Sequence, residues 1–263
     1  MRLEDFPGFF RAVHGYDPFP WQERLLWTVQ ESGWPDSLAL PTSAGKTSVM
    51  DVSVFSLALQ ASSSNRLAPL RTFFVIDRRL VVDEVTEHAN KLAKKLDSAN
   101  RGDGIVYEVA NSLMQLGNKP LAVASMRGGI IPNEEWIRSP LQPAVIATTV
   151  DQVGSRLLFR GYGVSERTRS IYAGVIGSDS IFLLDEAHLS TPFIETLDAV
   201  KHHQKRFSVF NPAKEIQTLT MTATPAIKSH YRMYLNEEDE NHPVLSKRLK
   251  AQKKAKLITA KSA

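Results

Sequence analysis

A run of small residues ends in a lysine and a threonine at residues 41–47, where the sequence reads PTSAGKT. Placed between a strand and a helix, such a run exposes backbone N–H groups that bind anionic oxygens together with the positive end of the helix. In a loop of this kind the lysine reaches the β- and γ-phosphates of a nucleotide, and the hydroxyl binds Mg²⁺. The sequence therefore predicts an ATP site that includes Thr42, Ser43, Ala44, Gly45, Lys46 and Thr47.

The loop departs from the commonest phosphate-binding pattern at two positions. Leu40 stands where the first glycine of that pattern falls, and Ser43 occupies a position that is usually glycine. If the backbone at Ser43 needs a positive φ, the serine adds strain of about 1–2 kcal/mol. The alternative interpretation is that Lys46 and Thr47 simply begin a helix.

A second group of chemically capable residues follows the apolar run of residues 181–184, in the order Asp185-Glu186-Ala187-His188. A strand that delivers two carboxylates at its carboxyl end suits Mg²⁺ chemistry on a parallel sheet. We predict that Asp185 and Thr47 hold Mg²⁺, and that Glu186 orients and deprotonates an attacking water. His188 has no second histidine or cysteine at metal-ligand spacing, so we expect it to couple this site to other motifs. The predicted catalytic set is Lys46, Asp185, Glu186 and His188.

The acids also have a structural interpretation. Asp185 and Glu186 could mark a helix N-terminus, where negative charge is favoured by the helix dipole. The phosphate-binding pattern about 140 residues upstream argues against that interpretation, because the two patterns together form one nucleotide site.

Two further segments resemble motifs that accompany such a site. Residues 220–225, TMTATP, resemble the motif that links ATP hydrolysis to strand movement, which makes Thr222 and Thr224 predicted coupling residues. The alternative there is a capped turn in which Pro225 stops a strand. Residues 19–22, FPWQ, resemble the Q motif, in which the amide of Gln22 would read the adenine edge by donating and accepting at once. Gln22 could equally be a surface helix residue.

Polar residues follow two other strand-like runs. Asp77, Arg78 and Arg79 follow residues 73–76, and residues 148–152 follow the apolar run 145–147. Arginines, hydroxyls and helix N-termini hold the phosphates of a single strand. The predicted single-stranded DNA face consists of Arg78, Arg79, Thr148, Asp151, Gln152 and Arg156. The alternative for the two neighbouring arginines is surface pairing with Asp83 or Glu84.

The order of these segments predicts the elements that must position them. Strand-like runs alternate with helical runs, which predicts an α/β fold with a mostly parallel sheet and helices on both faces. Several runs are apolar without alternation, as in strands covered on both faces. We expect strands at residues 37–40, 72–76, 121–125, 144–148, 181–184 and 217–221, and helices at residues 20–32, 46–61 and 80–96.

Composition excludes some classes of protein. The 263 residues contain no cysteine, which excludes disulfides and thiolate metal sites, and no apolar run approaches the roughly 20 residues of a membrane span. We expect a cytoplasmic protein with no membrane partner. Seven basic residues and no acid lie in residues 246–263, and subtracting them from the net charge of +4 leaves −3 on residues 1–245. This basic tail either contacts nucleic acid or is a solvated helix.

Five motifs in this order, over about 205 residues, resemble the first RecA-like P-loop domain of a DEAH-box superfamily-two helicase. Residues 12–22, 75–83, 149–165 and 183–190 further resemble the CRISPR-associated helicase-nuclease of type I interference, in the subtype whose helicase precedes the HD nuclease. The resemblance implies ATP and Mg²⁺ as cofactors, single-stranded DNA and a Cascade-type surveillance complex as partners, and ATP-driven pulling and cutting of the displaced strand.

The resemblance covers residues 5–235, and it suggests a division of the chain. We expect an N-terminal helical extension with the Q-like motif at 1–36, the RecA-like domain at 37–235, and an acidic linker and basic tail at 236–263 that begin a second domain. No His-Asp dipeptide occurs, and no second RecA-like domain with its arginine finger is evident. We therefore expect ATPase, unwinding and nuclease activity to be incomplete in this chain. The alternatives are a restriction-type superfamily-two translocase and a non-catalytic nucleotide-binding module.

Overall fold

The structure is a computed structural model that describes residues 1–128, 135–207, 214–223 and 231–251. Its centre is a seven-stranded sheet in which every neighbouring pair of strands is parallel, in the order β3-β4-β2-β5-β6-β1-β7. The strands are β1 (Ser37–Ala39), β2 (Arg71–Ile76), β3 (Ala122–Met126), β4 (Ala144–Thr149), β5 (Ser180–Asp185), β6 (Gln217–Thr222) and β7 (Arg232–Tyr234). The predicted α/β fold with a mostly parallel sheet is confirmed.

Helices cover the sheet on both sides. They are α1 (Phe6–His14), α2 (Pro20–Ser32), α3 (Val49–Gln60), α4 (Arg79–Asp97), α5 (Ile105–Leu113), α6 (Glu135–Arg138), α7 (Val150–Leu157), α8 (Glu166–Ile176), α9 (Thr191–Arg206), α10 (Glu237–Asn241) and α11 (Pro243–Lys250). Apolar residues of α1 to α5 form one core with one face of the sheet, and those of α6 to α9 form a second core on the other face.

Successive residues of the central strands alternate between these two cores. In β2, Phe73 packs in the second core and Phe74 in the first, and both are fully buried or nearly so. Because side chains of a strand point alternately to opposite faces, a strand that is covered on both sides must be apolar throughout. This explains the uninterrupted apolar runs in the sequence.

The helix that follows the phosphate loop is unusual because it is buried on all sides. Residues 49–58 of α3 are all buried, and they include the charged residue Asp51. The helix is packed between the sheet and the layer formed by α1, α2 and α5, so no face of it meets solvent. Helix α4, by contrast, has a polar outer side and a buried stripe, as its sequence pattern predicts.

One edge of the sheet was not anticipated from the sequence. Strand β7 pairs with β1, and the segment after it returns to the N-terminal helices, where Asp239 and Leu245 are fully buried. The Asp239 carboxylate accepts hydrogen bonds from the Trp21 N–H at 2.8 Å and from Arg24 at 2.6 Å. Residues 236–251, which we read as an acidic linker and the start of the tail, thus pack on α2. The remaining tail residues, 252–263, lie outside the described residues.

Parallel strands bring their carboxyl ends to one edge of the sheet, and the connections that leave those ends lie next to each other. The phosphate loop leaves β1, the acidic motif leaves β5, and the two predicted DNA-contact segments leave β2 and β4. Within the described residues, none of the helices combines the length and apolar composition that a membrane span requires.

Candidate functional site

The phosphate loop lies between β1 and α3, as its sequence predicts. The backbone turns tightly at Ser43 and Gly45, whose φ angles are 72° and 82°. The Ala44 N–H donates to the Pro41 carbonyl at 3.3 Å, and a short 3-10 turn at Lys46–Ser48 leads into α3. The positive φ confirms the condition under which Ser43 carries strain, because a residue with a Cβ pays about 1–2 kcal/mol in this region.

Gly45 is required for two reasons. Its positive φ favours glycine, and a Cβ at this position would lie 3.3 Å from Gln22 Nε2 and 3.3 Å from Phe19 Cε2. The first residues of α2 therefore press directly on the loop. The Trp21 indole N–H also donates to the Ala44 carbonyl at 3.0 Å. These contacts hold the phosphate loop against the start of α2.

The lysine of the loop faces both acids of the second motif. Lys46 Nζ lies 3.3 Å from Asp185 Oδ1 and 3.4 Å from Glu186 Oε1. Strand β6 lies between β1 and β5, so the two loops meet across its carboxyl end. Lys46 is buried at 9% exposure, whereas Glu186 is 36% exposed. The ammonium charge is thus balanced by carboxylates in a partly buried cleft, where charge interactions are stronger than in bulk water.

The donor set fits Mg²⁺ bound to a nucleotide. Asp185 Oδ1 is buried and accepts no hydrogen bond among the described residues, while it faces the Lys46 ammonium. Mg²⁺ prefers carboxylate and hydroxyl oxygens and shares its site with substrate phosphates. Thr47 is half-buried and lies next to Lys46 in the same loop. These residues could hold the ion, and Lys46 could bind the phosphates.

Glu186 and His188 form the outer part of the cleft. The backbone at Glu186 is in the left-handed region, with φ 49°, where the chain turns sharply as it leaves β5. His188 Nδ1 lies 3.5 Å from Glu186 Oε2. His188 is therefore in place to orient this carboxylate.

The structure places the Gln22 side chain against the phosphate loop. Its side chain is 1% exposed, its Oε1 accepts the Phe19 N–H at 2.8 Å, and its Nε2 donates to the Gly45 carbonyl at 3.3 Å. The amide oxygen and the amide nitrogen are both hydrogen-bonded within the protein, so Gln22 joins α2 to the phosphate loop. The role of Gln22 in reading an adenine edge stays a prediction.

Thr222 lies at the end of β6, next to the phosphate loop. Its carbonyl accepts the Leu40 N–H at 3.1 Å, and it is in register with Ala39 of β1. A movement of the end of β6 would therefore be transmitted to Leu40, which directly precedes the phosphate loop. This is consistent with the predicted coupling role of Thr222. Thr224, the second predicted coupling residue, lies outside the described residues.

The predicted DNA-contact residues fall into two groups. Arg78, Arg79 and Asp151 are exposed, and Gln152 is half-buried, at the carboxyl edge of the sheet. Asp83, which we considered as a partner of the two arginines, pairs instead with Arg127 at 2.6 Å. Arg78, Arg79, Asp151 and Gln152 remain predicted contacts of single-stranded DNA.

Thr148 and Arg156 are corrections to that prediction. The Thr148 side chain is fully buried, and its hydroxyl donates to the Thr149 carbonyl at 3.1 Å. Arg156 is 3% exposed, and its guanidinium donates to the Gln152 carbonyl at 3.0 Å and the Tyr162 carbonyl at 3.3 Å. Both side chains are buried and hydrogen-bonded inside the protein, so neither reaches single-stranded DNA in this structure.

Sequence reasoning missed one polar cluster on α3, the helix that follows the phosphate loop. Asp51, on the first full turn of α3, accepts hydrogen bonds from His14 Nε2 at 2.8 Å and from His88 Nε2 at 2.7 Å. Hydrogen bonds from these two imidazoles outweigh burial and hold the pKa of the Asp51 carboxyl below its ordinary value. The cluster ties the helix of the phosphate loop to α1 and α4. An acid within an otherwise apolar helix was the signal that could have revealed it.

No known family profile and no curated protein sequence matches the chain. The chain is similar at low identity to solved structures of DEAD-box proteins. The yeast DEAD-box splicing factor Prp28 is 17% identical with a TM-score of 0.48, over 88% of this chain and 49% of that one. S. cerevisiae Dbp5 bound to RNA and ADP BeF3 is 16% identical with a TM-score of 0.41, over 85% of this chain and 46% of that one. The chain thus spans about half the length of the structures it resembles.

Proposed function

We propose that this chain is the ATP-binding half of an ATP-driven nucleic-acid motor. The observation that carries the proposal is the approach of Lys46 to Asp185 and Glu186, at 3.3 and 3.4 Å. A lysine on a phosphate loop that meets two acids at the end of a neighbouring strand is the arrangement that phosphoryl transfer from a nucleotide requires.

Each residue has a distinct role in this proposal. Lys46 gives up its carboxylate partners and binds phosphate oxygens, with the N–H groups of the loop and the start of α3. Thr47 and Asp185 hold Mg²⁺, which neutralises phosphate charge when it is bound. Glu186 takes a proton from the attacking water, and His188 holds the Glu186 carboxylate in orientation.

The same edge of the sheet offers a surface for a single strand. Arg78 and Arg79 are exposed at the start of α4, directly after β2. Their guanidinium groups would bind phosphates without regard to sequence. Thr222, at the end of β6, would link the nucleotide loop to movement of the strand.

The test is titration calorimetry of the chain with Mg·ATP, in the presence and absence of a single-stranded oligonucleotide. A motor domain should bind both ligands, and each should change the affinity for the other, because linked binding is reciprocal. Nucleotide binding that is indifferent to the strand would favour a non-catalytic nucleotide-binding module. Failure to bind Mg·ATP would remove the proposal.

We also propose a more specific setting, in which the motor belongs to a CRISPR type I interference helicase-nuclease and acts on DNA displaced by a Cascade-type surveillance complex. The support is the resemblance of residues 12–22, 75–83 and 149–165 to that family. Co-sedimentation with a target-bound surveillance complex tests it. A restriction-type translocase should show no more affinity for that complex than for free DNA.

A further inference from the structure

Residues 158–164, which connect α7 to α8 and which we call the aromatic loop, present large apolar side chains to solvent. Phe159 is 60% exposed and Tyr162 is 66% exposed. The backbone between them is fixed, because the Arg160 and Gly161 N–H groups both donate to the Ser155 carbonyl, at 2.7 and 3.0 Å. The two rings therefore project outward from an ordered segment.

The buried Arg156 anchors this loop to α7. Its guanidinium donates to the Gln152 carbonyl and side chain at 3.0 and 2.7 Å, and to the Tyr162 carbonyl at 3.3 Å. It also lies over the Tyr172 ring, 5.4 Å from the ring centre. A residue expected to bind a strand thus holds the loop in position.

Phe159 combines two unfavourable features. Its φ is 61°, a region that residues other than glycine rarely adopt, and its ring is largely in water. Gly161 and Gly163 in the same loop also have positive φ, at no such cost. Strain and exposed apolar surface at one side chain point to a function of that side chain.

The surroundings of the rings are basic. Arg160 is exposed between the two aromatic residues, and with Tyr162 and Arg169 it lines an open cavity of about 510 Å³. Aromatic rings that alternate with guanidinium groups match a single nucleic-acid strand, since bases stack on the rings and phosphates pair with the arginines. The loop follows the eight-residue helix α7, about 12 Å long, which starts directly at the carboxyl end of β4.

We propose that Phe159 and Tyr162 are base-stacking residues for a single strand whose phosphates contact Arg160 and Arg169. The inference rests on the proposed motor function and extends its strand-binding surface beyond the exposed arginines of α4. Base stacking is tolerant of sequence, because every base has an aromatic face. The aromatic loop would therefore bind a single strand of any base sequence, as a translocating motor requires.

The test compares a single-stranded oligodeoxythymidylate with an abasic strand of the same length, by fluorescence anisotropy on the full chain. The Phe159→Ala/Tyr162→Ala variant should bind the base-bearing strand at least about thirtyfold more weakly. Its affinity for the abasic strand should not change, because the phosphate contacts remain. The matched control is Leu158→Ala, which removes an exposed apolar side chain from the same loop and should bind both strands as the wild-type chain does.

A second variant separates loss of binding from loss of structure. Phe159→Gly removes the strain, so it should unfold at a temperature no lower than the wild-type chain, while its preference for bases is weakened to the part that Tyr162 supplies. Equal affinity of the wild-type chain for base-bearing and abasic strands would overturn the stacking proposal and leave the phosphate contacts of the motor intact. If the wild-type chain bound neither strand, the proposed strand-binding function itself would fail.

Discussion

Lys46 Nζ lies 3.4 Å from Glu186 Oε1 although the two residues are 140 positions apart in the sequence. The contact exists because β1 and β5 flank β6 and release their connections at the same edge of the sheet. The carboxylates of Asp185 and Glu186 balance the positive charge of Lys46. In the proposed function the phosphate oxygens of ATP take over this role.

The first prediction concerns this lysine. Lys46→Ala should abolish measurable Mg·ATP binding, because the side chain points into the cleft and its charge is the main cation of the loop. The fold should persist, since the core does not depend on the ammonium group. Calorimetric titration measures the affinity, and Lys94→Ala, on the exposed side of α4, is the matched control. Equal affinity in Lys46→Ala and wild type would exclude this loop as the site.

Ser43→Gly should stabilise the protein. The serine has φ 72°, and glycine adopts this conformation without the Cβ penalty, so we expect a gain of about 0.5–1 kcal/mol in the free energy of unfolding. Urea denaturation measures it. Thr42→Gly is the control, because Thr42 is exposed in the same loop but has no positive φ, and there glycine should only destabilise. A loss of stability in both variants would show that Ser43 is not strained.

The chain alone should bind nucleotide but hydrolyse it at a rate near background. Lys46, Asp185 and Glu186 all lie at one edge of one sheet. Phosphoryl transfer also needs positive charge from the opposite side, and an arginine finger typically contributes 10³–10⁵ in rate. Phosphate release with and without single-stranded DNA measures turnover. Robust DNA-stimulated hydrolysis that is lost in Glu186→Gln would contradict this prediction.

Arg78 and Arg79 should control the salt dependence of strand binding. Each phosphate contact contributes about 0.7 to the slope of log affinity against log salt for single strands, so Arg78→Ala/Arg79→Ala should reduce the slope by about 1.4. Anisotropy titrations at several salt concentrations give the slope. Arg101→Ala, an exposed arginine on another part of the surface, is the control. An unchanged slope in the double variant would place the phosphate contacts elsewhere.

The Asp51 cluster should make stability depend on pH in the acid range. Burial alone would raise the pKa of Asp51, but the hydrogen bonds from His14 and His88 bring it below the ordinary 3.8. A carboxyl whose pKa is lower in the folded state stabilises the fold above the pKa of the unfolded chain, and this stabilisation is lost as the pH falls through the folded value. The wild-type chain should therefore lose stability as the pH falls below about 4.

The variant Asp51→Asn tests the same cluster. It should cost about 3 kcal/mol at neutral pH, because it replaces a buried carboxylate that is hydrogen-bonded to two imidazoles, and it should flatten the dependence on pH below 4. Asp97→Asn, at the exposed end of α4, should change stability by less than about 0.5 kcal/mol. Thermal unfolding between pH 3 and pH 7 measures both variants. An Asp51→Asn profile that runs parallel to wild type would refute the assignment.

The sequence alone determined the local elements and the chemistry of the two main loops. The strands at residues 72–76, 144–148 and 181–184, and the helices at residues 20–32 and 80–96, agree with the observed elements to within one or two residues. Their patterns are local, because burial on one or both faces repeats at the spacing of the helix or the strand. The residue types at 41–47 and 185–188 identified the cleft for a similar reason, since few other combinations serve phosphate and Mg²⁺.

Only the tertiary structure decided the partners of individual polar side chains. Gln22 is hydrogen-bonded to the Gly45 carbonyl, and Arg156, which was expected to face DNA, anchors the aromatic loop. Asp239 reads as part of an acidic linker, yet it is buried against Trp21 across 218 positions of sequence. A donor or acceptor takes whichever partner the fold brings within about 3 Å. Which partner comes that close depends on strand order and helix packing. The spacing of neighbouring residues in the sequence does not indicate either of them.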